Sequence, residues 1–251
     1  MSQYTLYVHS WDIGSGTRGG NHTGFTLEET TENGSSTRTI DLSKDKITGD
    51  IIFNYDNSGT GGDIAIGRVP VLTGSDAVAA FNKITIATSI LDSYQLDYGH
   101  LTSNCNSSTE VLIDNFVPGW KGRAGEIFDQ LPGFYVGDEY NRFRNNPYVQ
   151  QALNNANAVI EQLTEAGIDL GSSALKWLNT DDGFITFDID GTPYMIDKDG
   201  RLYEKGDDGL YRAVLGDILQ QCLLPATFED TLKKNQRPVR DGGRSSFAAG
   251  G

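Results

Sequence analysis

Only two cysteines, Cys105 and Cys222, and three histidines, His9, His22 and His100, occur in the 251 residues. The thiols are far apart and form no CxxC pair, which excludes a zinc ribbon, a dithiol redox motif and the dense disulfide framework of small secreted domains. One long-range disulfide stays open, with a reducing compartment as the default. Long apolar runs are also missing: nothing approaches the about 20 residues of a membrane span. The segment MSQYTLYVHSWDIG has neither a basic n-region nor an apolar stretch of signal length, so the expected location is the cytoplasm, or outside after export without a cleavable signal peptide. Positive charge is scarce, with 20 Lys and Arg against 34 Asp and Glu, a net charge of −14 and a pI near 4.5. Such a surface repels phosphate backbones and anionic membranes, so nucleic acid is not an expected partner.

What is present is globular. Hydrophobic residues make up 37% of the chain and aromatics 10%, and 30 glycines imply many tight turns. The run YTLYVH alternates like a strand, and NHTGFTLEET puts Phe25 and Leu27 on one face and His22, Gly24 and Thr26 on the other. An Asn-Gly turn at Asn33 and Gly34 and two further strand candidates, GDIIFNYD and GDIAIGRVPV, predict an antiparallel sheet across roughly residues 4–72. Val78, Phe81, Ile84, Thr88 and Leu91 recur at helical spacing, predicting a helix over 76–93. YQLDYG then reads as a short strand or an extended link into SNCNSSTEVLIDNF, where Ser107 and Glu110 have capping-box spacing ahead of an apolar run.

Residues 1–120 are thus expected to form one domain, 121–145 a loop-rich connection and 146–235 an accessory unit, with 236–251 a polar, disordered tail. The accessory unit opens on the helix YVQQALNNANAVIEQLTEAG, with Gly167 as its C-cap, and SSALKWL reads as a second, short helix. Asp-Gly pairs beginning at Asp182, Asp190, Asp199 and Asp208 predict hairpin turns of a small β-meander. Asp188, Asp190, Asp197 and Asp199 also suggest calcium, but no pair supplies the glycine and final acid of an EF-hand loop, so no metal or cofactor is expected. The fold class is α+β: an antiparallel sheet with packed helices, then a helical segment and the meander.

A thiol attacks only as thiolate, and a helix N-terminus favours the thiolate by its unpaired N–H groups and dipole. Cys105 sits at such a position, whereas Cys222, in LGDILQQCLLP, reads as core. Of the histidines, His22 is the best base, because Gly24 beside it leaves room for another element and GGN before it is open and polar. His100 could flank the site from the link, and His9, ending the first strand, reads as exposed. The bland alternative is an inert cysteine packed under an apolar helix.

The order of strand, histidine-bearing strand NHTGFTLEE, further strands, helix and link into YGHLTSNCNSSTEVLIDNF resembles the circularly permuted papain-like thiol hydrolases. It resembles especially the PPPDE group with the deSUMOylating isopeptidases, which is related to the cell-wall-cleaving NlpC/P60 enzymes. Asn104-Cys105-Asn106-Ser107 matches that group's N-C-N motif, and His22 takes the place of its base; the likeness covers roughly residues 4–120. Ser107, Ser108 and Thr109 replace the aromatic or histidine common after the motif, so substrate class does not carry over. The resemblance implies a Cys105–His22 dyad cleaving a peptide, isopeptide or peptidoglycan stem-peptide bond, with the Cys105 N–H as one oxyanion donor. Tyr7, Trp11 and Asn104 are the further oxyanion or orienting candidates, and Asp63 or Asp12 would orient His22. A secreted effector with an inhibitor or immunity protein as partner fits the same resemblance. Transfer of the acyl group to a lipid or amine, and a non-enzymatic binding protein, stay open beside it.

Overall fold

The computed structural model describes residues 2–12, 21–44, 47–56, 65–94, 96–97, 105–122, 138–171, 176–181, 184–189, 191–197 and 201–214. The fold is α+β. Strands β1 (Gln3–Asp12), β2 (Asn21–Thr31), β3 (Gly34–Lys44), β4 (Ile51–Asp56) and β5 (Ala65–Thr73) form an antiparallel sheet in the order β4-β3-β2-β1-β5. Period-two alternation decides its buried face: Leu6 pairs with Leu27, Val8 with Phe25 and Phe25 with Ile40, and all five are at most 2% exposed. The β2–β3 turn falls one residue before the expected Asn33-Gly34 centre: Thr31 pairs with Gly34, so Glu32 and Asn33 form the two-residue loop and Gly34 opens β3. Gly34 takes φ +132°, while the Thr31 hydroxyl accepts from the Asn33 N–H at 3.2 Å and donates to the Gly34 carbonyl at 3.1 Å. Pro70, with no N–H to donate, sits on edge strand β5 beside a register shift against β1.

Helix α1 (Gly74–Ser93) follows β5 directly and contains the 76–93 expected from spacing. Ala77, Val78, Ala80, Phe81, Ile84, Ile86, Ala87, Ile90 and Leu91 are all buried, which covers nearly every direction around the axis. A helix apolar all round must be enclosed. Accordingly α1 touches β1, β2, β4 and β5 of the sheet, helix α2 (Cys105–Phe116), helix α4 (Pro147–Glu165) and strand β7 (Phe184–Ile189). Its polar residues do not defeat this burial. Thr85 donates to the Phe81 carbonyl at 2.8 Å and Ser89 to the Thr85 carbonyl at 2.7 Å, while Asn82 reaches the Leu170 carbonyl at 2.7 Å.

A short helix α3 (Asp138–Arg144) precedes α4. Asn146 caps α4 by accepting from the Tyr148 N–H at 2.9 Å, and Pro147 occupies the first helical position, where its missing N–H costs nothing. The other end stops as its glycine requires. Gly167 has φ +79°, its N–H donates to the Thr164 carbonyl and the Ile168 N–H to the Leu163 carbonyl, both at 3.0 Å, the two bonds of a Schellman motif. Val149, Ala152, Leu153, Ala156, Val159 and Leu163 belong to the same apolar cluster as α1, so the helix expected to open an accessory unit is built onto the core of the first sheet.

The second sheet is the expected meander: β6 (Lys176–Asp181), β7, β8 (Thr192–Asp197), β9 (Leu202–Lys205) and β10 (Tyr211–Ala213), each paired antiparallel with the next. One expectation is corrected here. Lys176, Trp177 and Leu178, read as part of a short helix, belong to β6, with Trp177 opposite Phe187. A seven-residue helix bears the nucleation cost for few bonds, whereas pairing with β7 satisfies the same backbone along a ladder. The meander's acids cap its turns. Asp188 accepts from the Gly191 N–H at 2.8 Å, Asp197 from the Arg201 N–H at 2.9 Å and Asp208 from the Leu210 N–H at 3.1 Å. Asp190 and Asp199 lie outside the described residues, and among those described no group of three His, Cys, Asp or Glu is placed to hold a metal. No described helix is long and apolar enough to cross a membrane.

Because α1 touches both sheets, Ile84→Ala is expected to cost about 2–5 kcal/mol. The loss should displace the far-ultraviolet and tryptophan-fluorescence unfolding curves together; displacement of one alone would contradict a shared core.

Candidate functional site

The first residue of α2 is Cys105. The helix therefore starts earlier than the Ser107–Glu110 spacing suggests: Ser107 lies inside the first turn, not at the cap, and both it and Glu110 are 1% exposed. The Ser108 hydroxyl donates to the Cys105 carbonyl at 3.1 Å, a contact within the opening turn. Cys105 is present as a thiol, 3% exposed, with its sulfur 3.7 Å from Asn106 Oδ1.

That opening turn is tied to β2. Thr23, wholly buried, lies 2.9 Å through Oγ1 from Asn106 Oδ1 and 3.1 Å from Thr109 Oγ1. Along β2 the side chains alternate, with Thr23, Phe25 and Leu27 toward the helices and Gly24 and Thr26 toward the opposite face. The far end of α2 is held separately. Asp114 accepts from Trp120 Nε1 and from the Tyr140 hydroxyl of α3, both at 2.5 Å, and Lys121 lies 3.4 Å away. Burial, and then the hydrogen bond to Asp114, push the Tyr140 phenol up to about 12.

The expected site residues fall into four groups. Cys105 stands at the helix start, as read from the sequence. His22 has its backbone in β2, paired with Trp11 of β1, one position before the threonine that reaches α2; the side chains of His22, Trp11 and Asp12 lie outside the described residues. Gly24 and Thr26, with which the sequence pattern groups His22, face away from α2. Asp63, His100, Asn104 and Cys222 lie outside the described residues altogether. Tyr7 is not brought to Cys105: its ring packs under the Arg68 guanidinium at 4.5 Å, and along β1 it shares the face of His9.

His9 overturns its expectation of exposure. It is 6% exposed, its Nδ1 is 2.7 Å from Thr26 Oγ1 and its Nε2 is 3.1 Å from Asp41 Oδ1 on β3. The ring spans β2 because the residue between is Gly24. A Cβ there would lie 2.5 Å from the Ile40 carbonyl oxygen, 2.7 Å from Asp41 Oδ1 and 3.2 Å from His9 Nε2. With both nitrogens engaged on this face, His9 does not serve Cys105. The sequence did carry a signal for it, a lone glycine inside a strand pattern, which marks close approach of another group. Thr23 and Asn106 had a weaker one, a hydroxyl on the apolar face of β2.

Gly24→Ala is expected to destabilise the protein by about 1–3 kcal/mol in thermal unfolding, since the methyl meets a backbone carbonyl that cannot swing aside. A loss below about 0.5 kcal/mol would mean that the sheet flexes to admit it. For Tyr140, titration at 295 nm should show one phenol ionising near 12 that Tyr140→Phe removes. A folded value above the ordinary one, about 10, gives a contribution that is intact below that pH and is lost as the pH rises toward the folded value.

No protein-family model matches the chain, and neither a curated protein nor a solved structure matches it.

Proposed function

We propose that the protein is a cysteine-dependent hydrolase of amide bonds in a peptide, isopeptide or peptidoglycan stem peptide, built as a permuted papain-like fold. The observation that carries this reading is the place of Cys105, first residue of a 12-residue helix whose opening turn is hydrogen-bonded to the strand that begins with Asn21 and His22. His22 takes the thiol proton, and the thiolate attacks the carbonyl carbon. The tetrahedral oxyanion is met by the Cys105 N–H, then collapses as His22 returns the proton to the leaving amine. Water, deprotonated by the same imidazole, cleaves the thioester and restores the thiol. Strict alternation along β2 would turn His22 with Gly24 and Thr26, so the dyad requires the strand's first residues to bring the imidazole across to the thiol.

A second reading has one observation in its favour. At 3% exposure Cys105 has the burial of an inert core thiol, which suits a binding protein without catalysis.

An electrophilic thiol probe with peptide-level mass spectrometry separates the two. The hydrolase reading expects modification at Cys105 over Cys222, and a loss of about 10²–10⁴-fold in hydrolysis on His22→Ala, measured on purified cell-wall sacs and on ubiquitin-like conjugates. Equal modification of both cysteines, or unchanged biological activity in Cys105→Ser, would overturn it.

A further inference from the structure

We propose that Asn106, anchored by Thr23, is the positioning residue that lets Cys105 exist in both protonation states; this rests on the reading of Cys105 as the nucleophile. Asn106 Oδ1 is shared, 3.7 Å from Cys105 Sγ and 2.9 Å from Thr23 Oγ1. In the thiol state the S–H and the Thr23 hydroxyl both donate to that oxygen. Loss of the thiol proton would leave an oxygen lone pair facing a negative sulfur. A half-turn of the carboxamide about its Cβ–Cγ bond replaces the oxygen by Nδ2, which donates one hydrogen to the sulfur and the other to Thr23 Oγ1. The Thr23 hydroxyl, which accepts as well as donates, then turns its own proton to Thr109 Oγ1, 3.1 Å away.

The turn itself transfers no proton: the one that leaves sulfur goes to the base, and Asn106, Thr23 and Thr109 only rotate. Each member keeps a partner in both states, which matters because Thr23 and Thr109 are 0% and 2% exposed and an unmade hydrogen bond there is costly. The residue types fit this role better than a packing role. Thr23 stands on the face of Phe25 and Leu27, where valine has the same shape without a buried hydroxyl; only the hydroxyl distinguishes the two. A carboxamide is also the one neutral side-chain group that presents an acceptor or a paired donor from nearly the same volume.

The test is the thiolate absorbance near 240 nm, read against pH as the difference between the protein and its Cys105→Ser variant, which registers the sulfur without substrate and without solvent access. Asn106→Ala should raise the midpoint by about one to two pH units, the effect of one hydrogen bond to a charged group. Thr23→Val should raise it by less, and Thr23→Ser should restore it. The double variant should move no further than Asn106→Ala alone, because the threonine acts through the amide. A midpoint unmoved in Asn106→Ala while the melting temperature falls, or full additivity in the double variant, overturns the positioning role. A wild-type midpoint at or above the ordinary thiol value, about 8.5, overturns the nucleophile reading instead. Asn106→Ala lies in a helix first turn that tolerates alanine, so the result stands even where Thr23→Val folds poorly.

Discussion

The burial of helix α1 on nearly all sides is the constraint around which the rest is arranged. Each fully covered isoleucine, such as Ile84 or Ile90, contributes about 1.5–3 kcal/mol, and that gain exists only while a sheet, two helices and a strand of the meander close around it. The polar residues of α1 are compatible with this because they turn inward on the helix: Thr88 donates to the Ile84 carbonyl at 2.9 Å and is met by the Tyr55 hydroxyl at 2.8 Å. Hydroxyls satisfied in this way add little polarity to the core. They still orient it, since Tyr55 of β4 can reach Thr88 and Ser89 only in one register.

Strand β2 is where that core meets the candidate chemistry. One face carries Thr23, Phe25 and Leu27 to the helices; the other carries Gly24 and Thr26 to His9. The consequence is a division of labour between adjacent residues. Thr23 joins the opening turn of α2 and so governs the surroundings of Cys105, while Gly24 is bare so that an imidazole can lie across the strand to Asp41. A displacement of β2 by one residue would exchange these faces and undo both arrangements.

Much of this was legible locally. The apolar spacing from Val78 to Leu91, Gly167 at a helix end and the repeated Asp-Gly pairs each depend on neighbours in sequence, and the elements they predict are present. SSALKWL misled because the strand character of its last three residues comes from β7, through pairs such as Trp177 with Phe187, and not from its own periodicity. His9 misled for a related reason: a histidine at a strand end reads as exposed unless its partners, Thr26 and Asp41, are known to lie beside it.

The sequence alone determined the acidic surface, the α+β class, the alternation that buries Leu6, Val8, Phe25 and Leu27, and the placement of a cysteine at a helix start. Each follows from composition or from periods of two and 3.6 residues, which are properties of short windows. The tertiary structure decided which groups surround that cysteine. Thr23 and Asn106 are 83 positions apart, and the bond between them exists because α2 packs on one face of β2. No local pattern encodes that meeting; it is set by the packing of a helix on a sheet whose buried face was already chosen.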